Sequence, residues 1–218
     1  YNTMGVLNTI LDILFPVTCI SCKKHGSYLC QNCLNNCRLA ERENLDWIYS
    51  IYDYRDPLIK RAIWLLKYKG KKSLSKVFAT SIYLNTLEEI SEMMLLENFK
   101  NPILIPIPLS KKRYRERGYN QAELIARELL LLSPETFTLK KDILTKIKDT
   151  IHQAHIKDRK QRLKNITNSF NIKNKESIKN RNIILIDDVT TTGATLSEAK
   201  KVLKENGAKK IIAFTVAH

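Results

Sequence analysis

The sequence predicts an α/β fold: an open, Rossmann-like parallel sheet of about five strands with a smaller helical hood, preceded by a small N-terminal metal module. Three observations carry this expectation. Short apolar runs at Ile103–Ile107, Ile183–Ile186 and Ile211–Val216 have the composition of strands buried on both faces, which belong to parallel sheets. Segments with helical spacing stand between them. Four cysteines form two Cys-x2-Cys pairs, Cys19/Cys22 and Cys30/Cys33, seven residues apart.

Met4–Phe15 has the spacing of an amphipathic helix, with Asn8 and Asp12 on its polar side. It lacks the basic flank and small-residue cleavage site of a signal peptide. No run approaches the roughly 18 apolar residues of a membrane span, so a cytoplasmic location is expected. Pro16 stops that helix. The cysteine pairs then read as two knuckles holding one Zn²⁺ with four thiolates, a closed and therefore structural site. Disulfides and an iron–sulfur cluster are the alternatives, and His25 is a possible substitute ligand. Cys37 reads as a spare buried thiol. So small a module has no core without its metal, which couples folding to zinc. Residues 4–45 are assigned to the helix and zinc module, and residues 46–218 to the α/β domain.

Asp46–Tyr54 has the aromatic and β-branched composition of a strand. Asp56 and Pro57 cap and open a helix that ends in the cluster Lys67–Lys72. Trp64, Tyr68, Tyr114 and Tyr119 lie within or near the basic clusters, where aromatic rings suit stacking on the bases of a single strand; the alternative is that they are core, and for Trp64, on an apolar helix face, the core is the expectation. Two helices, Leu74–Leu84 and Thr86–Phe99, are expected before the Ile103 strand. Beyond Pro108 the loop carries Lys112, Arg113, Arg115 and Arg117, whose planar forks suit phosphate oxygens and suggest a polyanion clamp. A helix follows over Ala122–Leu132. Residues 140–165 read as a mobile basic arm, with a short helix near Asp158–Asn165 and then a strand around Ser169–Ile172.

The chain is organised around Ile183–Leu196. Asp187 and Asp188 are placed where the apolar strand ends, and ligands of open α/β sheets collect there. Thr190, Thr191, Thr192, Gly193, Ala194 and Thr195 form a small, hydroxyl-rich turn that opens a helix, and such a turn cradles phosphate. Two carboxylates beside it can accept from vicinal hydroxyls, in a pocket expected to be solvated. Phosphate and diol together describe a ribose 5-phosphate. The plainer reading is an ordinary strand–turn–helix with a surface acidic pair. Leu196–Glu205 continues the helix to a stop at Gly207.

The net charge of +15 is concentrated: residues 60–76 carry +7, 111–117 carry +4 and 140–175 carry +8. Such fields imply anionic partners, with a solvated basic surface as the alternative.

Apolar strand, Asp-Asp, then Thr-x-Thr-Gly-x-Thr (Thr190 to Thr195) is similar to the fingerprint of type I phosphoribosyltransferases, which bind phosphoribosyl pyrophosphate (PRPP). With the four cysteines, the Pro-Ile-Pro-Leu run, Arg113-x3-Arg117-Gly118-Tyr119-Asn120-Gln121 and Lys67-Tyr68-x-Gly70, the chain from Phe15 onward resembles the ComF family, ComFC-type competence proteins. Gln153 and Arg162-x2-Asn165 also look like family motifs, at a spacing one residue longer than the family's. The resemblance implies a factor for natural transformation that handles incoming single-stranded DNA in the cytoplasm, at or near the inner face of the membrane. It implies competence partners such as a translocation helicase. By the same resemblance, Asp187 and Asp188 would hold the ribose hydroxyls and Thr191–Thr195 the 5-phosphate. Arg113 and Arg117 would face the pyrophosphate with Mg²⁺. An active phosphoribosyltransferase of unknown acceptor and a PRPP-responsive regulator are the alternatives.

Overall fold

Alternation of side chains along a buried strand lets one sheet serve two cores. In the computed structural model, which describes residues 16–41, 45–147 and 168–218, the strands are β1 (Ile48–Tyr52), β2 (Ile103–Pro106), β3 (Thr138–Leu139), β4 (Leu144–Lys146), β5 (Phe170–Ile172), β6 (Ile183–Val189) and β7 (Ile211–Ala217). Five of them form a sheet in the order β1-β7-β6-β2-β3, every pair parallel. The β4 and β5 strands pair antiparallel beside it. Ile184, Ile186, Leu104, Ile212 and Phe214 point into one apolar cluster. Their neighbours Ile183, Leu185, Ile103, Ile105, Ile211 and Ala213 point into the other.

The helices are α1 (Gln31–Asn35), α2 (Pro57–Tyr68), α3 (Leu74–Leu96), α4 (Lys111–Arg117), α5 (Gln121–Leu132) and α6 (Ala194–Glu205). The first cluster takes Ile59, Ile63 and Leu66 from α2, Phe78 and Ile82 from α3, and Ile125 and Leu129 from α5. The second takes Leu196, Ala199 and Leu203 from α6, with Phe170 and Ile172 from β5. Leu29 and Leu34 of the cysteine module join the first cluster. Leu39 bridges Tyr52, so the module's exit runs antiparallel against β1.

Three expectations are corrected. The two helices expected over 74–99 are one, α3, because Asn85 and Thr86 do not break it: Thr86 Oγ1 donates to the Ile82 carbonyl at 2.8 Å and Asn85 Nδ2 to that of Ser81 at 2.8 Å. Such back-bonding satisfies a polar side chain inside a helix. The arginine segment is the helix α4, not a loop: Ser110 accepts from the Arg113 N–H, and Gly118 at φ +75° provides the left-handed exit. Trp64 is not core but 47% exposed, because the inward face of α2 is filled by Ile59, Ala62, Ile63 and Leu66. The expected helices Met4–Phe15 and Asp158–Asn165, with Gln153 and Arg162, lie outside the described residues.

The chain leaves β2 outward to β3, then returns to place β6 on the other side of β2 and moves on to β7. The carboxyl ends of β2 and β6 therefore flank the point where the winding reverses, where α/β sheets open a crevice for ligands.

Candidate functional site

The strand β6 runs through the acidic pair to Val189, and Asp187 stands in register with Thr215 of β7. The two carboxylates thus lie within the last residues of the strand rather than beyond its end, and their side chains take different surroundings. Asp187 Oδ1 turns back to accept from the Asp188 N–H at 2.8 Å. Asp188 is 3% exposed, not solvated as expected, and is ion-paired with Lys67 from the end of α2. Gln121, the first residue of α5, donates Nε2–H to Asp188 Oδ1 at 3.4 Å. Two helices from distant parts of the chain therefore lock one carboxylate.

Burial and the neighbouring charge set the protonation of this cluster. Burial pushes the Asp187 carboxyl up, the Asp188 charge adds to it, and the group reaches about 8. Burial opposes ionisation of Asp188 as well, but Lys67 beside it outweighs that and holds it below the ordinary carboxylate range. Burial works against the Lys67 ammonium, and Asp188 overcomes it to raise its pKa. At neutral pH the trio carries an Asp188⁻–Lys67⁺ pair and a protonated Asp187.

The turn after β6 is built for close approach. Thr190 N–H donates to the Ala217 carbonyl at 3.0 Å, and a ring nitrogen of His218 lies 2.9 Å from the Thr191 carbonyl oxygen. Gly193 adopts φ +69°. A Cβ there would stand 2.7 Å from Leu45 Cδ1, a side-chain tip that can move aside, so it is the backbone angle that favours glycine. The helix α6 starts at Ala194 with its first N–H groups facing the turn. Among the described residues, the buried Thr192 hydroxyl has no hydrogen-bond partner.

On the β2 side, Asn120 fixes the link to α5, donating to the Ile107 carbonyl at 3.0 Å and capping the Ala122 N–H at 3.0 Å. Arg117 reaches across to α2, with Nη2 3.3 Å from the Tyr68 hydroxyl and its guanidinium 5.0 Å from the ring centroid. It is near enough to favour ionised Asp188. Arg115 folds along its own helix toward the Lys111 carbonyl, and it and Lys112 are exposed. Of the expected clamp, Arg117 is thus drawn to the acidic pair, while Arg115 and Lys112 face solvent.

Cys19, Cys22, Cys30 and Cys33 place their sulfurs within 4.8 Å of one another, and Cys22 and Cys30 are 3.5 Å apart. Tetrahedral thiolates at about 2.3 Å from zinc stand roughly 3.8 Å apart, so this donor set fits the metal. Burial opposes ionisation of Cys19, but N–H groups of Cys30, Cys22 and Ser21 outweigh it and bring the thiol down to about 6. For Cys22 an N–H from Lys24 lowers the value, yet the surrounding cysteines push it up to about 11. The loops stabilise one thiolate, and further negative charge among four sulfurs calls for a cation. Cys37 is buried, its thiol donating to the Cys33 carbonyl at 3.4 Å.

Lys67, Gln121 and His218 were not among the expected site residues. Lys67 and Gln121 stand within motifs already singled out, Lys67-Tyr68-x-Gly70 and the arginine–Gly-Tyr-Asn-Gln run, and their presence there was the available signal. Nothing local marks His218.

A parallel sheet with an acidic pair at the switch point and a glycine turn opening a helix defines a domain of the phosphoribosyl transferase class, and residues 88–218 match the family model described as phosphoribosyl transferase domain. Over 93% of its length the chain is 32% identical to Competence protein F of Haemophilus influenzae, covering 85% of that protein. It is also 32% identical to Competence protein ComFC of Streptococcus pneumoniae, over 88% of this chain and 81% of that one. A DNA utilization protein of Salmonella typhi is 26% identical over 86% of this chain and 76% of its own. The chain belongs to the ComF family and carries a phosphoribosyl transferase domain.

Proposed function

We propose that this protein is a competence factor that handles incoming single-stranded DNA in the cytoplasm and binds PRPP or a related ribose 5-phosphate in the β2/β6 crevice. Family membership and the names of its relatives support the role in DNA uptake. The observation that carries the ligand reading is the acidic pair on β6 beside the Gly193 turn. The turn's N–H groups and the positive end of α6 receive the phosphate, with the Thr192 hydroxyl available as a donor. The carboxylates accept from the ribose hydroxyls. Lys67 and Gln121 keep Asp188 ionised and oriented, so the site is organised before the ligand arrives. Arg113 and Arg117, on the helix that follows β2, would meet the diphosphate. Mg²⁺ would come with that diphosphate and neutralise it, and Asp187, which is not the carboxylate ion-paired with Lys67, would ionise to face it. The cysteine cluster holds one structural Zn²⁺. No helix among the described residues is long and apolar enough to cross a membrane.

Calorimetric titration with PRPP and Mg²⁺ tests the reading. Asp187→Asn should weaken binding by about tenfold or more: Mg²⁺ beside Asp187 would favour its ionised form, and a hydrogen bond to an ionised carboxylate contributes roughly 1.5–3 kcal/mol. The charge-balanced variant Lys67→Met/Asp188→Asn should lose at least as much while remaining folded. Wild-type affinity in both would show that the ribose is bound elsewhere.

A further inference from the structure

The helix α2 turns one face to the core and Lys67 to the acidic pair. Its opposite face presents Lys60, Arg61, Trp64 and Tyr68, all exposed. Their spacing of i, i+1, i+4 and i+8 places them in one stripe along the helix. Trp64 is 47% and Tyr68 49% exposed, and their rings stand 6.3 Å apart. Arg117 covers Tyr68 at 5.0 Å, and Lys69 covers Trp64 at 5.3 Å. Residues 60–76 contain seven basic residues and no acidic one.

We infer that this stripe is a base-stacking platform for single-stranded nucleic acid, continuous with the crevice at Tyr68 and Arg117. The inference rests on the single-strand reading above and assigns it a surface. Large aromatic rings left in water gain nothing for the fold, since α2 already fills its core face. Rings set among cations suit a single strand, whose unpaired bases expose flat faces while its phosphates meet Lys and Arg. A duplex hides its base faces and cannot use the rings. The lysine and arginine now over the rings make only weak contacts at an exposed site. A base that takes a ring face would release that cation to an adjacent phosphate. The charge of the stripe selects a polyanion, and its rings select one with accessible bases.

The test uses the full chain. The protein has two tryptophans, so a Trp47→Phe variant makes Trp64 the sole indole reporter. It is titrated with an oligothymidylate and with an abasic oligomer of equal length and charge. The expected result is quenching of Trp64 emission by the oligothymidylate only. In anisotropy measurements, Trp64→Ala/Tyr68→Ala should weaken oligothymidylate binding by about tenfold or more and leave abasic binding unchanged, while Trp64→Phe keeps most of the affinity. Equal affinity for the two oligomers, untouched by the alanine variant, would overturn the platform and leave the single-strand reading standing. No binding of either oligomer by the wild-type chain would overturn both.

Discussion

The cysteine module and the β2/β6 crevice are assembled in opposite ways. The module draws its four sulfurs from residues 19–33, through two knuckles closed by local bonds such as Cys19 N–H to the Lys24 carbonyl at 2.8 Å. The crevice draws Lys67, Gln121, Asp188 and His218 from four separate elements. In the module four thiols are gathered, and their ionisation together would need a metal to balance it. In the crevice the protein balances Asp188 with its own lysine and leaves Asp187 protonated. A local site depends on what it binds for its structure; a site built by tertiary packing stands ready before its ligand comes.

The largest test of that contrast removes one sulfur. Cys19→Ser should lose zinc and leave the chain insoluble or unfolded. Structural zinc contributes on the order of 10 kcal/mol, as much as a whole domain's net stability of about 5–15 kcal/mol. Leu29 and Leu34 would also be unseated from the core shared with α2 and α3. Metal content per chain and sedimentation measure this, and a soluble, metal-free wild-type chain would remove the module's half of the comparison.

A smaller effect is expected in the crevice. Lys67→Met leaves Asp188 buried without its counter-ion and should destabilise the fold by about 3–5 kcal/mol. Adding Asp188→Asn should recover most of that loss. Urea unfolding of the single and double variants gives the coupling directly. If the single variant costs nothing, the crevice is not held by this pair.

A third effect is in pH. The Asp187 carboxyl rises from an ordinary 3.8 to about 8 on folding. The folded state therefore holds a proton that the unfolded state releases, and stability attributable to Asp187 falls as pH rises from about 4 to about 8. Below that window both states are protonated and the group contributes no slope. Asp187→Asn should match the wild type in melting temperature near pH 4 and exceed it near pH 8.5. Parallel pH profiles for the two chains would show that Asp187 is ionised in the fold.

Amino-acid order alone specifies the parts whose chemistry is contiguous. Two Cys-x2-Cys pairs at short separation specify a four-sulfur cluster because their loops are too short to place the thiols elsewhere. Apolar runs such as Ile183–Ile186 specify a buried parallel strand because no other element hides every side chain of so short a run. The Thr-Thr-Thr-Gly-Ala-Thr turn marks a helix start because Gly193 supplies the one backbone angle that the turn needs. The remainder depends on how distant elements pack. That Lys67 pairs with Asp188 depends on where the end of α2 meets the switch point, and helical periodicity along α2 carries no information about that. The same periodicity could not tell the core side of α2 from the side bearing Trp64, because Ile59, Ala62, Ile63 and Leu66 sufficed to fill the core and the indole was left in solvent. His218 reaches the Thr191 carbonyl only because parallel pairing brings the end of β7 beside the end of β6. Partners so far apart in the chain meet through sheet order, and sheet order is set by which apolar faces pack together rather than by any residue read alone.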